Sequence, residues 1–204
     1  MMPNQTFNRD AGNAGLSSLG IPSARVNFLR VRQTSMLDTV RSFAVTAHGA
    51  QMYGDRPYAY HLDAVASLLA SYGEEAQVVG YLHDVVEDTA TTGADVEALF
   101  GKHIAACVLL LTDEPGVNRK ERKAKTYAKL ALVQGREELA LVVKAADRLA
   151  NVRACIADRK RKLWELYRSE HPVFKQAAYR AGLCEAFWSE LDDKLSVSGF
   201  DAHF

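Results

Sequence analysis

The chain has 204 residues, and its 25 Lys or Arg balance 25 Asp or Glu, so the formal net charge is zero. This length suits one well-buried core, and the balanced charge indicates neither a nucleic-acid nor a membrane partner. No apolar run approaches the roughly 18 residues of a membrane-spanning helix, and a secretory signal pattern is absent. Three widely spaced cysteines are typical of reduced thiols. We therefore expect a cytoplasmic protein, and the sequence leaves its oligomeric state open.

Helical periodicity runs through most of the chain. The segment 1–35 is rich in Asn, Gly and Ser and has no sustained period, which predicts a flexible N-terminal leader. From Met36 onward, apolar residues recur at helical spacing, and no segment alternates as a strand would. We expect a single all-α domain over 36–198, with helices at roughly 36–50, 60–71, 75–88, 94–100, 103–112, 119–133, 137–154, 158–169 and 172–195.

One predicted helix carries an unusual density of polar residues. In "GYLHDVVEDT", residues 80–89, a histidine and three acids lie among apolar residues, where a buried charge is expensive. Side chains three and four residues apart share a helix face. Four polar side chains therefore converge on neighbouring strips of this helix: His83, Asp84, Glu87 and Asp88. Two distant residues are good candidates to complete a site, namely His48 in "TAHGAQ" and Asp147 in "VVKAADRLANVR".

The chemistry of these residues favours a metal centre. Two imidazoles and two carboxylates form a mixed ligand set that suits Mn, Fe, Co, Ni or Zn better than Ca: His48, His83, Asp84 and Asp147. A water bound at such a site becomes a nucleophile near neutral pH. Glu87 and Asp88, one turn further on, would orient or deprotonate that water and protonate a leaving oxygen. Asn151, one turn after Asp147, would donate to a substrate oxygen.

Each assignment also has a purely structural alternative. A His-Asp pair on a surface helix is common, and the acids that follow it can be a solvated helix end. Asp147 can instead form an ion pair with Lys144 or Arg148. For the remaining histidines we expect ordinary structural roles, because none has an acidic partner in a comparable setting: His61, His103, His171 and His203. The prediction of a metal centre therefore depends on the combination.

The motifs, taken in order, resemble a known family. They are "AH" at 47–48, "PYAYH" at 57–61, "YLHDVVEDT" at 81–89, "FG" at 100–101, "LTDE" at 111–114, "ERK" at 121–123 and "KAADRLANVR" at 144–153. This series resembles the HD-superfamily hydrolase domain of RelA/SpoT proteins, and is most similar to the small stand-alone alarmone hydrolases, including the metazoan SpoT homologue. The resemblance covers roughly Met36 to Arg153.

The resemblance implies a helical fold that holds one metal, usually manganese, through the four ligands proposed above. It also implies removal of the 3′-pyrophosphate from guanosine tetra- and pentaphosphate. By the same resemblance, Glu87 and Asp88 serve the attacking water and Asn151 lies near the substrate sugar. Residues 36–153 would then form the metal core, and 154–198 would form helices that cover it.

Two segments are candidates for contacts with the substrate. The loop "AQMYGDRPY" departs from the family pattern, which usually has an Arg-Lys pair there; Tyr53 would stack on a purine and Arg56 would supply positive charge. The segment "NRKERKAKTYAK" carries six Lys or Arg residues, of which Arg122 and Lys123 match the family's "ERK". We expect these two to contact phosphate. Packing and solvation are the ordinary alternatives for all four residues.

Three functions are compatible with this sequence. The leading hypothesis is an enzyme, a manganese-dependent alarmone 3′-pyrophosphohydrolase with a small nucleotide substrate. The altered loop at Tyr53 motivates an alternative, the same chemistry on another nucleotide phosphoester such as NADPH. A third is a catalytically silent nucleotide-binding protein, and the retention of Glu87 and Asp88 beside a whole ligand set argues against it.

Overall fold

Helices make up most of the computed structural model, which describes residues 35–196. The α-helices are α1 Met36–His48, α2 Ala59–Leu68, α3 Glu74–Leu82, α4 Val85–Asp88, α5 Gly93–Phe100, α6 Lys102–Leu111, α7 Arg119–Ala131, α8 Leu139–Ala157, α9 Arg161–Ala178 and α10 Glu185–Leu195. Short 3-10 helices cover Leu69–Tyr72 and Gly135–Glu138. The prediction of an all-α fold is confirmed. None of the helices in the described range has the length and apolar character of a membrane span.

Two predictions concern residues outside the described range. The leader predicted over 1–35 falls there except for Ser35, which caps α1 by accepting a hydrogen bond from the backbone N–H of Asp38. His203 also lies outside, as do the last two residues of the domain predicted to end at 198.

The centre of the core is α8, which packs against α2, α3, α6, α9 and α10. A helix covered on most sides must be apolar around most of its circumference, and Leu141, Val143 and Leu149 of α8 are fully buried. Lys144 and Arg148 of the same helix are buried as well. Because buried charges need partners, these polar residues mark the place on α8 where a site is built.

The predicted helix over 75–88 is interrupted in the structure, so the prediction of one continuous helix is wrong. It ends as α3 at Leu82 and resumes as α4 at Val85, and Asp84 between them has φ −107° and ψ −1°. His83 Nδ1 lies 2.7 Å from the carbonyl oxygen of Gly80, the acceptor that the backbone N–H of Asp84 would use in a continuous helix. The break brings His83 Nε2 and Asp84 Oδ2 to 2.9 Å from each other.

Gly80 allows α3 to approach α2 closely. A Cβ atom at this position would lie 2.6 Å from Leu69 Cδ1 and 3.6 Å from Val65 Cγ1. Non-bonded carbon atoms prefer separations of about 3.5–4.0 Å, so a larger residue would require either that Leu69 changes rotamer or that the two helices move apart. The absence of a side chain at Gly80 therefore permits the close packing of α3 against α2 and Leu69.

The predicted division between helices 158–169 and 172–195 is also wrong. The α9 helix continues through Pro172, and the chain leaves helical geometry only between Tyr179 and Cys184. Pro172 lies on the exposed face of α9, where water can satisfy the carbonyl that loses its helical donor. The buried residues Tyr167, His171 and Phe174 keep helical spacing across the proline, so packing on the core maintains the helix.

A short hairpin precedes α2. The strands β1 Met52–Tyr53 and β2 Arg56–Pro57 pair antiparallel around Gly54 and Asp55, and Gly54 has φ +67°, which favours glycine. Arg56 Nη2 donates to Asp158 Oδ1 at 2.7 Å, just beyond the end of α8. The ion pair fixes the hairpin against α8 and positions Tyr53.

Candidate metal centre and active-site cavity

Side chains from three parts of the fold meet beside α8. The ligand atoms of His61 on α2, His83 after α3 and Asp147 on α8 all lie within 4.8 Å of one another, a group that can hold a metal ion. His61 Nε2 lies 3.2 Å from His83 Nε2 and 3.3 Å from Asp147 Oδ1. Asp84 Oδ2 joins them at 2.9 Å from His83 Nε2. Two imidazoles and two carboxylates thus converge on one point.

Hydrogen bonds from neighbouring residues orient the side chains of this group. With His83 Nδ1 facing the Gly80 carbonyl at 2.7 Å, a neutral His83 ring carries its proton there and leaves the Nε2 lone pair toward the group. Asp147 Oδ1 accepts from Asn151 Nδ2 at 2.5 Å, and Asn151 Oδ1 accepts from the Tyr53 hydroxyl at 2.8 Å. Asp84 accepts from the Tyr58 hydroxyl. Such supporting contacts are typical of metal ligands, so these residues fit a divalent cation.

The electrostatic environment of the group also favours a positive charge. Burial lowers the pKa of His83, but the carboxylates of Asp84 and Asp147 outweigh burial and raise the pKa to about 10. Burial raises the pKa of Asp84, whereas the adjacent His83 lowers it, and the net pKa is below its usual value. For Asp147, burial is likewise outweighed by His61 and His83, so its pKa is also lowered. The same carboxylates would stabilise a bound metal cation.

His48, predicted as a ligand, lies outside the group of His61, His83 and Asp147. Its ring stacks on Tyr58 with the centroids 4.3 Å apart, and its Nδ1 lies 2.8 Å from Gln51 Oε1. The other ring nitrogen, Nε2, is buried and has no hydrogen-bond partner. His48 therefore contacts the group through Tyr58, whose hydroxyl donates to Asp84.

The expectation that His61 has no acidic partner in a comparable setting is wrong. Its Nε2 lies 3.3 Å from Asp147 Oδ1 and 3.8 Å from Asp84 Oδ2. The ring is 2% exposed and stacks on Tyr53, with the centroids 4.8 Å apart and the planes 8° from parallel. A signal was present in the sequence, since His61 closes the "PYAYH" motif that carries part of the resemblance.

A cavity of about 170 Å³ opens beside the four converging side chains. Four of its lining residues form an acidic set, which consists of Asp84, Glu87, Asp88 and Asp147. Four others form a basic set, which consists of Arg119, Lys123, Lys144 and Arg148. Tyrosines, His61 and Asn151 complete the lining. The cavity thus offers acids for a metal and its water together with cations for an anionic substrate.

The predicted catalytic acids, Glu87 and Asp88, both line this cavity. Glu87 Oε2 accepts from the backbone N–H of Asp113 at 2.9 Å. Burial raises the pKa of Glu87 and outweighs the opposing effect of that hydrogen bond. Asp88 Oδ2 accepts from Gln51 Nε2 at 2.8 Å. A carboxyl group with a raised pKa is suited to taking up and returning a proton.

The structure brings only some of the predicted substrate residues to the cavity. Tyr53, Asn151 and Lys123 line it, and Lys123 is anchored by Asp113 at 2.8 Å. Arg56 Cζ lies 4.4 Å from the ring centroid of Tyr60, and the guanidinium group forms an ion pair with Asp158. The charge of Arg56 therefore stabilises the hairpin. Arg122 is not among the lining residues.

Sequence reasoning missed three members of the basic set. Lys144 and Arg148 flank Asp147 on α8, where the sequence suggests only ion pairs with Asp147, and Lys144 Nζ does lie 3.6 Å from Asp147 Oδ2. Arg119 is the first residue of α7 and lies in the same basic segment as the predicted contacts Arg122 and Lys123. For Lys144 and Arg148, the signal was a charged residue within an otherwise apolar helix.

Comparison with known proteins identifies the family of this chain. Residues 40–184 match the family model of the HD domain. The chain therefore belongs to the HD-domain family. A solved structure of a metazoan orthologue of SpoT, described as hydrolysing ppGpp, superposes with a TM-score of 0.60 at 24% identity, covering 78% of this chain and 94% of that one. At this level of identity, the superposition shows a shared fold.

Curated relatives carry the same region within much longer proteins. A probable guanosine-3′,5′-bis(diphosphate) 3′-pyrophosphohydrolase from Synechocystis is 36% identical over 157 residues, which cover 74% of this chain and 20% of the relative. The bifunctional (p)ppGpp synthase/hydrolase SpoT of Escherichia coli is 30% identical over 151 residues, 72% of this chain and 21% of the relative. The chain spans about a fifth of the length of these relatives.

Proposed function

We propose that this HD-domain protein is a metal-dependent phosphohydrolase that removes the 3′-pyrophosphate from guanosine 3′,5′-bis(diphosphate). The observation that carries the proposal is the convergence of two imidazoles and two carboxylates at a cavity that also presents a basic set. Relatives at 36% and 30% identity bear the names of enzymes with this activity or a bifunctional form of it, which supports the proposal.

The proposed metal ligands are His61, His83, Asp84 and Asp147, so that His61 replaces His48 in the set expected from the sequence. Nitrogen and oxygen donors in equal number suit manganese, and iron, cobalt, nickel and zinc accept the same donors. When bound, such a metal lowers the pKa of water so that it attacks as a nucleophile near neutral pH. His48 would support the set by packing against Tyr58.

Glu87 and Asp88 are the proposed catalytic residues. Glu87 would take a proton from the attacking water as the bond between the 3′ oxygen and phosphorus breaks. Asp88, one residue further on the same cavity wall, would return a proton to the leaving 3′ oxygen. One water is consumed, and guanosine tetraphosphate yields GDP and pyrophosphate.

Tyr53, Asn151 and Lys123 are the proposed substrate contacts at the cavity. Asn151 already binds both Tyr53 and Asp147, so it would join the substrate pocket to the metal centre. Beside Tyr53 lies a second, mostly apolar cavity of about 210 Å³ that Ala150, Ala154 and Ala157 also line. Its apolar lining suits the flat face of a nucleobase.

Another nucleotide phosphoester, such as NADPH, remains the second candidate because the hairpin holds Tyr53 in place of the family's basic pair. A panel of phosphorylated nucleotides, with product identification and metal analysis on the same sample, separates the candidates. We expect GDP and pyrophosphate from guanosine tetraphosphate at a kcat/KM well above that for every other panel member. No GDP from protein that contains metal would contradict the proposal.

The proposed setting of this activity is the cytoplasm. Cys107, Cys155 and Cys184 are all free thiols and all buried, as expected for a protein that matures under reducing conditions.

A further inference from the structure

One carboxylate on α9 holds two arginines of the basic set. Glu170 receives Arg119 through two hydrogen bonds, from Nε to Oε1 at 2.8 Å and from Nη2 to Oε2 at 3.2 Å. Arg148 Nη1 lies 3.2 Å from the same Oε2. Arg119 is on α7 and Arg148 on α8, so Glu170 ties together three helices at the edge of the cavity. One negative charge shared between two guanidinium groups leaves a net positive charge there.

Arg148 is fixed on several sides. It is 5% exposed, donates to the Tyr127 hydroxyl at 2.9 Å, and lies 4.8 Å and 4.7 Å from the ring centres of Tyr167 and Phe174. Yet its Nη1 is buried without a hydrogen bond of good geometry. An unsatisfied buried cationic donor costs more than a neutral one, and an anion in the adjacent cavity would relieve that cost.

Arg119 is held so that part of its fork stays available. Glu170 engages Nε and Nη2, which leaves the two hydrogens on Nη1 for a ligand. About 40% of the Arg119 side chain is exposed, and it lines the 170 Å³ cavity together with Arg148. A guanidinium oriented by one carboxylate can bind a phosphate with less loss of side-chain entropy than a freely rotating one.

We propose that Arg119 and Arg148 form an anion subsite for a phosphate group of the substrate, and that Glu170 is the positioning residue that orients both. This inference rests on the proposed function, because it places a polyphosphate in the cavity. The acidic set repels an anion, and the subsite supplies an opposing attraction in the same cavity. The ligand class is a pyrophosphate or polyphosphate group.

The first test is calorimetric titration of inorganic pyrophosphate into the full chain with its native metal. Arg119→Ala should weaken binding about 10- to 100-fold, because a charge-assisted hydrogen-bond donor is lost. Arg119→Lys keeps the charge without the fork and should restore part of the affinity. Arg41→Ala is the matched control: Arg41 pairs with Asp63 through the same two-bond geometry at 2.7 Å, away from the cavity. That variant should bind like the wild type.

The second test separates positioning from simple charge. Glu170→Gln should weaken pyrophosphate binding about 3- to 10-fold when Arg119 is present, and should have a smaller effect in the Arg119→Ala background, where only Arg148 remains to be oriented. Asp63→Asn is its control and should change neither value. Tighter binding by Glu170→Gln, or an equal effect in both backgrounds, would overturn the positioning role, because Glu170 would then act only as an opposing charge.

The outcomes for the subsite and for the proposed function are distinct. No measurable pyrophosphate binding by the wild type, or equal binding by Arg119→Ala, would overturn the subsite even if guanosine tetraphosphate is hydrolysed. Binding that depends on Arg119 in a protein that does not hydrolyse guanosine tetraphosphate would support the subsite and overturn the proposed substrate. If both hold, Arg119→Ala should raise KM at least tenfold and change kcat less than threefold, a division expected when ground and transition states lose the same contact.

Discussion

The acidic set and the basic set line the same cavity but are encoded differently. Three of the four acids lie in one short motif, "HDVVED", and the fourth is in "ADRLAN". The four cations come from α7 and α8, and two of them are oriented by Glu170 on a third helix. Residues that share a motif can be recognised from their spacing in the sequence. Residues that are brought together by the packing of different helices can be recognised only in the folded structure. We propose that Asp84 and Asp147 of the acidic set retain the metal and that the basic set binds the anionic substrate.

The largest effect expected is on metal binding by the acidic set. Asp147→Ala removes a proposed ligand that faces both histidines, so purified protein should lose most of its metal and turnover should fall more than about a hundredfold. Metal content per chain and the rate of guanosine tetraphosphate hydrolysis measure both effects. Asp193→Ala, at an exposed position on α10, is the control. Full metal content in Asp147→Ala would contradict the proposal that the metal is retained by carboxylates of the acidic set.

A second pair of variants tests which histidine, His61 or His48, binds the metal. His61→Ala should lose metal about as severely as Asp147→Ala, since its Nε2 faces His83 and Asp147 at 3.2 and 3.3 Å. His48→Ala should keep its metal, because His48 reaches the centre only through packing on Tyr58. Metal analysis of the two variants in parallel decides the matter. The reverse pattern would restore His48 as the ligand and remove His61.

Glu87→Gln divides the acidic set itself. Because Glu87 lines the cavity but lies outside the converging ligand group, metal content should stay near that of the wild type. Turnover should fall by roughly 10²- to 10⁴-fold, the usual contribution of a general base. Glu97→Gln on the exposed side of α5 serves as the control. Metal loss equal to that of Asp147→Ala would refute the separate roles.

Gly80→Ala tests the packing beneath the acidic set. The added Cβ would lie 2.6 Å from Leu69 Cδ1, so α2 and α3 must separate or Leu69 must change rotamer. Overpacking of this kind costs about 1–3 kcal/mol of unfolding free energy, which urea titration followed by circular dichroism can measure. Unchanged stability would show that Leu69 moves freely and that the close approach is unimportant.

An effect on stability of similar size is expected at Asp113, which anchors Lys123 of the basic set. Burial raises the pKa of Asp113, but Lys123 outweighs it, and the net pKa is below the ordinary value of 3.8. A carboxyl group whose pKa is lowered in the folded state stabilises the fold above its ordinary pKa and loses that effect as the pH falls through the lowered value. Asp113→Asn should therefore cost about 1–3 kcal/mol near pH 7.

That cost should shrink steadily below about pH 4, where the wild-type carboxyl group also becomes neutral. Urea titrations of both proteins at pH 7 and at successively lower pH measure the difference. A difference that stays constant with pH would mean that Asp113 acts through shape rather than charge.

Much of the fold follows from periodicity, and the exceptions have identifiable physical causes. Apolar spacing predicts α8 and the all-α class correctly, because burial on α8 dominates every local preference. The interruption at His83 could not be predicted, since it depends on a side chain competing for the Gly80 carbonyl. Continuation of α9 through Pro172 depends on which face of the helix is exposed, and only the packed structure determines that face.

The site follows the same rule. The grouping of His83 and Asp84 near Asp147 is apparent from motifs, whereas the choice between His48 and His61 depends on how α1 and α2 approach α8. Both histidines lie before the "HD" motif, in segments that carry the resemblance to the family, and both are buried. The sequence analysis selects His48, whereas the structure places His61 in the group with His83 and Asp147.

The most direct test of the central claim is the position of the metal in crystals of the full chain grown with manganese. An anomalous difference map should show one peak within coordination distance of His61 Nε2, His83 Nε2, one oxygen of Asp84 and one of Asp147. The basic set should lie in the same cavity as that peak. A peak bound by His48 instead of His61 would contradict the proposed metal centre. The absence of any peak among these residues, in crystals that bind manganese fully at another site, would contradict both the metal centre and the hydrolytic mechanism that depends on it.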